Sequence, residues 1–557
     1  MLPPSPPSIP APTSTGLSAP GVPSGDRARR LRRVVGRGLA ALALSLALAA
    51  SPLVPAAQAQ GTAETPVRGG TMTIINGSDI RSWDPAITSG TYPGGPMDVL
   101  DAVYGFLVYV DVKGIVTGGM AEGLTSPDAV TWTLKLRPNL RFTDGTPFDA
   151  EAVRFNWDRI ANPQTLSPAQ GFVAAWAKSM TVVDATTLRI TLNSPNASFA
   201  AQVAELCPFI ASPAALKAAQ QKTDIKPVGA GAFVLQNWNQ GISMTLTRNP
   251  DYWDQPRPYL DTLKFAIIPE TNSRIATVVQ GGATMMAGYP FQFGSNAKAS
   301  GVATREIPIR GIYRGYFNQA KGIFTDPRAR EAVYEGINRA RLMQAYTQVG
   351  GYTPPSSYFG TQSPYYDGSH PLPGYDPKKA QAAFDAMKRD GKPLDIRIVT
   401  YTNSDLKRLT GYVQQVLNSF DGVKATITEV DQAMLVTRCR QQLEFDLCFE
   451  GGVTVANGAE PLISNLLSSD GSFNWGQYRN PAMDAALARA NATPDPAAAK
   501  AAYAEVQAIF ARDLPLYIFG EETRFLLLRN NTGGIVPSNG GILQKQFLYL
   551  CPDVCVK

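Results

Sequence analysis

The chain has 557 residues, 44% apolar and only 17% charged, with a formal net charge of +6. The first 59 residues hold six arginines against one aspartate, so the rest is close to neutral and gives no support to nucleic-acid binding. This composition excludes a disordered or fibrous class, and the length suffices for two or more lobes with separate cores.

Residues 1–25 are rich in proline and serine and cannot build a core. Six arginines from Arg27 to Arg37, the run "LAALALSLALAASPLVPA" and the small-x-small site Ala57-Gln58-Ala59 follow. That order reads as a secretory signal peptide cleaved near Ala59. Pro52 and Pro55 break the run, which lacks the ~20 strongly apolar residues of a membrane anchor. No Leu-x-x-Cys stands at the junction, so an unlipidated, periplasmic chain is expected. The arginine cluster leaves the general and twin-arginine export routes both open.

"GGTMTIINGSDIRSWDPA" predicts a strand-rich start ending in a turn at Asp84-Pro85. In "VTWTLKLRPNLRF", Trp132, Leu134 and Leu136 share one face of a strand. Asp144-Gly145 supplies a turn, and Asp149 is an N-cap for a helix that buries Val153, Trp157 and Ile160. Phe142, Phe148 and Trp157 are expected to fill the wedge beneath. Asp144 and Glu151 have ordinary roles in a turn and a first helical turn, so this stretch is read as scaffold, not as an acid–base pair. "MTVVDATTLRITLNSP" predicts a hairpin around Asp184-Ala185. Helical patterns follow over 326–348, over 375–391 between Asp376-Pro377 and Gly391, and through "TPDPAAAKAAYAEVQAIFARD" with Ala502, Val506, Ile509 and Phe510 inward. "LDIRIVTYT" and "LPLYIF" read as strands. The whole predicts a mixed α/β protein of at least two lobes.

Export permits disulfides, and Cys439 with Cys448, or Cys551 with Cys555, can each close a small loop, leaving Cys207 free. The single histidine, His370, lies in a Pro/Gly-rich loop, so no metal site or cofactor is expected. One such histidine and no G-x-S-x-G also argue against a secreted hydrolase.

"VTWTLKLRPNLRFTDGTPFDAEAVRFNWDRI" resembles the signature of the family 5 solute-binding proteins of ABC transporters, the dipeptide-, oligopeptide- and nickel-binding type. "VGAGAFVLQNWNQGISMTLTRNPDYW", "YFNQAKGIFTDPRAREAVYEGINRARL", "YDPKKAQAAF" and "YRNPAMDAALARA" are similar to further blocks of the family, in family order. Ala230 and Ala232 replace the usual Thr and Pro. The resemblance implies a two-lobe periplasmic-binding-protein clamshell (type II, cluster C-like) with an extra β-rich subdomain in the first lobe. It places lobe one at 60–318, lobe two at 319–521, and the return and tail at 522–557. It implies a monomeric receptor that does no catalysis and delivers a peptide or other small solute to an ABC permease. A sensor or chaperone of the same fold, uncoupled from a permease, is the alternative. Loops that the family sets at the cleft hold Trp83, Tyr92, Tyr313, Arg314, Tyr358, Val455, Asn457, Glu460 and Trp475. Ala456 stands where dipeptide-binding members carry an Asp for the peptide ammonium, so a dipeptide held that way is not expected unless Glu460 substitutes.

Overall fold

The stretch from Leu140 to Ala161 folds on local instructions. In the computed structural model, Phe142 N–H donates to Thr146 O at 2.9 Å, and Gly145, at φ +81°, donates to Phe142 O at 2.9 Å. Asp149 Oδ1 accepts from Ala152 N–H at 2.9 Å and caps the helix Ala150–Ala161. Val153, Trp157 and Ile160 are buried on that helix, and Phe142 packs on Phe148 at 4.9 Å. Each such side chain contributes about 1.5–3 kcal/mol by leaving water. Asp144 bonds Ser212 Oγ and Thr146, while Glu151 pairs with Arg154, so the two carboxylates serve separate structural ends. Arg159, on the same helix, clamps the buried Asp84 at 3.1 and 2.6 Å and ties the Asp84-Pro85 turn to it.

The structure describes residues 66–555 apart from 81, 88–94, 112–113, 220–225, 289–301, 348–352, 362, 451–461 and 539. The leader and its cleavage site lie outside the described residues. All described residues belong to one compact unit, Glu64–Lys557. Among them, no helix is long and apolar enough to cross a membrane.

A ten-stranded mixed sheet organises the unit. Its order is Lys424–Val430, Asp395–Tyr401, Leu447–Phe449, Val302–Phe317, Leu516–Arg529, Met285–Gly288, Thr71–Asn76, Thr262–Ile267, Ser243–Arg248 and Phe233–Asn239. The two long strands in the middle, Val302–Phe317 outbound and Leu516–Arg529 returning, pair antiparallel. Their register slips between Pro308 and Gly311 and between Tyr313 and Arg314. The slips fall where one hydrophobic core gives way to another. The first core draws on residues from Met72 to Ile307 and from Leu526 to Leu548. The second runs from Ile312 to Phe519. A separate four-stranded antiparallel sheet, Ala121–Thr125, Thr131–Leu136, Thr187–Leu192 and Ala177–Asp184, adds its apolar face to the first core. The loop after Leu192 reaches the second core's side of the molecule: Ala197 N–H donates to Asn491 O at 2.6 Å.

Where one helix is expected over 326–348, the structure has two, Pro327–Gly336 and Arg339–Thr347. Ile337 turns extended, at φ −104° and ψ 118°, and Asn338 Oδ1 accepts from Arg341 N–H at 3.1 Å to start the second helix. Gly336 lies so close to Phe420 that a Cβ there would come within 2.9 Å of its ring. A poor helix former followed by a capping asparagine thus breaks the pattern locally.

Cys439 is bonded to Cys448 and Cys551 to Cys555, with Cys207 free and buried. The tail returns to the first core, where buried Lys545 donates to Asp98 Oδ1 at 2.6 Å and lies 3.8 Å from Asp101 Oδ2.

Candidate functional site

Strand alternation sets Arg314 and Tyr316 on one face of the outbound strand and Tyr313 on the other. Tyr316 pairs with Cys448 in the antiparallel register, so Glu450, two residues on, comes level with Arg314. Gly315 between them makes room for Phe449, whose ring atom would lie 2.7 Å from a Cβ at that position. Arg314 Nε and Nη2 donate to the Tyr316 hydroxyl at 3.1 and 2.9 Å, and Nη2 also donates to Glu450 Oε1. The Tyr316 hydroxyl donates in turn to Glu450 Oε1 at 2.6 Å. Tyr316 stacks on Trp475, with ring centroids 5.2 Å apart and planes 19° from parallel.

Burial alone would push the Arg314 guanidinium down, but the Tyr316 and Glu450 oxygens outweigh it and hold it above its ordinary range. Burial also pushes the Tyr316 hydroxyl well up, Arg314 opposing and Glu450 reinforcing, so it remains a donor. The Arg314 side chain is 0% exposed and that of Glu450 10%. Removing one partner of such a buried pair costs about 3–5 kcal/mol. Among the described residues, Nη1 of Arg314 has no hydrogen-bond partner.

The structure brings Arg314, Tyr358 and Trp475 into one neighbourhood of the second core; the Tyr358 hydroxyl acts electrostatically on Arg314. Tyr358 lies buried between Phe359 and Phe510. Tyr313, on the opposite strand face, stacks on Phe519 at 5.9 Å and meets Tyr346 edge-on at 5.3 Å. Trp83 belongs to the first core, edge-on to Trp238 at 5.9 Å, and is not part of this group. Tyr92, Val455, Asn457 and Glu460 lie outside the described residues. Sequence reasoning missed Tyr316 and Glu450. The alternation in "FDLCFE" is the signal that sets Glu450 at a strand end. Glu521, at the expected return to the first lobe, stands on the return strand opposite Ile312; burial raises its carboxyl above the ordinary range, and it lies against Gly360.

The family model for bacterial extracellular solute-binding proteins, family 5, matches residues 116–474. The chain belongs to this family. The glutathione-binding protein GsiB of Salmonella paratyphi A is 28% identical over 493 residues, covering 86% of this chain and 91% of the relative. Among solved structures, the ABC transporter substrate-binding protein CtaP from Listeria monocytogenes superposes with a TM-score of 0.75 at 22% identity, covering 87% of this chain and 99% of that one. DppA from Helicobacter pylori in complex with the peptide STSA gives 0.71 at 23% identity, covering 87% and 98%. The fold is the two-lobed α/β clamshell of these proteins. This family 5 protein is a solute-binding receptor that serves an ABC importer outside the cytoplasm, and its family and fold are those of binding proteins.

Proposed function

We propose that the solute is a short peptide or a peptide-like molecule such as glutathione, captured between two lobes that meet at the slipped pairing of the outbound and return strands. Lobe one then comprises 60–318, lobe two 319–521, and 522–557 returns to lobe one. The receptor works as a periplasmic monomer after unlipidated export and cleavage near Ala59, and it breaks no bond in its solute. The observation that carries this reading is the Arg314–Tyr316–Glu450 group. It sets buried hydrogen-bonding groups beside an aromatic stack at the join of the two cores. Relatives named for glutathione and for peptides support the solute class.

Closure around a solute adds contacts that the open form lacks, so binding shifts the balance between the two. A ligand that binds only the folded protein stabilises it by about 2.7 kcal/mol at a hundredfold excess over Kd. Thermal melts with glutathione, tripeptides to pentapeptides, and sugars as controls are therefore expected to rise for members of the first two groups, with the solute recovered intact. Melts that move only with sugars, or cleavage of the peptides, would overturn the assignment.

A further inference from the structure

Among the described residues, Arg314 is a fully buried cation with one nitrogen, Nη1, left without a partner. An unmet buried donor costs about 1–3 kcal/mol, and more when charged. A fold that keeps one at the join of two lobes has a donor to satisfy on binding. Indole N–H groups are also buried without partners at Trp83, Trp132, Trp176 and Trp253, so the same feature at Trp475 distinguishes nothing; Arg408 Nε is unpartnered too, but its side chain is 33% exposed and that of Arg314 0%.

Its charge is already balanced. Glu450 Oε1 accepts from Arg314 Nη2 and from the Tyr316 hydroxyl. A carboxylate from the solute, placed at Nη1, would leave one net negative charge where little water reaches, which is costly. A carbonyl oxygen placed there leaves the group neutral. Glu450 Oε2 makes no hydrogen bond among the described residues, and its side chain is the more exposed of the pair. It can accept an N–H. A primary amide presents a carbonyl and an N–H on the same edge, and one residue of an extended peptide does so through its own C=O and N–H, so either can match both open positions without adding charge.

We propose that Arg314 Nη1 and Glu450 Oε2 hold an uncharged amide of the solute, and not its carboxylate end; this rests on the peptide reading above. Arg314 follows directly on the slip between Tyr313 and Arg314, which sets it at the join where the two proposed lobes meet. Glu450 is then a specificity residue as well as a partner for Arg314. It keeps the guanidinium from selecting acids.

Calorimetric titration with four tripeptides of different side-chain character, each as the free acid and as the C-terminal amide, tests this. The wild-type protein is expected to bind the amide of its preferred tripeptide at least as tightly as the acid, within threefold. Glu450→Gln leaves the guanidinium uncompensated and is expected to shift preference toward the acid by tenfold or more. Arg314→Lys keeps the charge but loses the planar fork, and is expected to weaken both forms at least tenfold while circular dichroism reports a folded chain. A wild-type preference for the acid of tenfold or more overturns the proposal and leaves the peptide reading standing. Equal weakening of both forms by Glu450→Gln, which a purely structural ion pair would produce, also overturns it. Failure of every tripeptide in both forms, with glutathione and pentapeptides failing as well, overturns this proposal together with the peptide reading.

Discussion

Trp475 stands 5% exposed and stacked on Tyr316, whose hydroxyl is held by a charged pair. Its ring therefore supports the orientation of Tyr316. Trp475→Ala should open a cavity and cost about 3–5 kcal/mol, whereas Trp475→Phe keeps a stacking ring, forfeits no hydrogen bond and should cost under about 1.5 kcal/mol. Urea unfolding of the two variants measures the difference; equal losses would mean the stack is immaterial. At this scale the sequence is legible only in part. Arg314 stands out as a cation beside the crossing point, but its partner lies 136 residues away along the chain. Nothing local to either residue announces the other; only the antiparallel register brings 314 and 450 level.

Elements whose boundaries are set by neighbours in sequence were mostly readable, and contacts set by distant packing were not. The Asp149 cap and the Gly145 turn each need only a few residues, and both form. The break of 326–348 into two helices falls at Gly336 and the Asn338 cap, local signals that helical periodicity passes over, while Phe420 packs on Gly336 from a distant part of the chain. The attachment of the tail is likewise non-local. Lys545 is buried against the helix Pro96–Tyr104, between Asp98 and Asp101, and Tyr109 donates to Asp101 Oδ1 at 3.1 Å. Burial, partly offset by Lys545 and Tyr109, raises the Asp101 carboxyl from its ordinary 3.8 to about 6. The folded state then holds this proton more tightly than the unfolded chain does. Its contribution is therefore greatest below about pH 4, declines as pH rises toward 6, and is level above, a change on the order of 2–3 kcal/mol. Asp101→Asn should abolish that decline relative to wild type in urea titrations between pH 4 and 7. Parallel wild-type and variant curves would assign the pH dependence to other groups.

At the scale of the whole molecule, two cores share one sheet through two long strands, so a modest change at the register slips can move one lobe against the other while leaving each core intact. Away from the sheet, Ala197 N–H and Asn491 O provide another point of attachment between them, at 2.6 Å. A hydrogen bond of this kind contributes about 0.5–1.5 kcal/mol. Ala197→Pro removes the donor and should weaken solute affinity about threefold to tenfold by favouring the separated lobes. Calorimetry read alongside small-angle scattering of the ligand-free protein checks both halves of this statement; unchanged affinity and radius of gyration would show that the attachment has no part in closure. Because this clasp joins main chain to main chain, alanine or conservative scanning passes over it without a signal. Nineteen of the twenty amino acids supply the same donor, so as far as this bond is concerned only proline is barred from position 197.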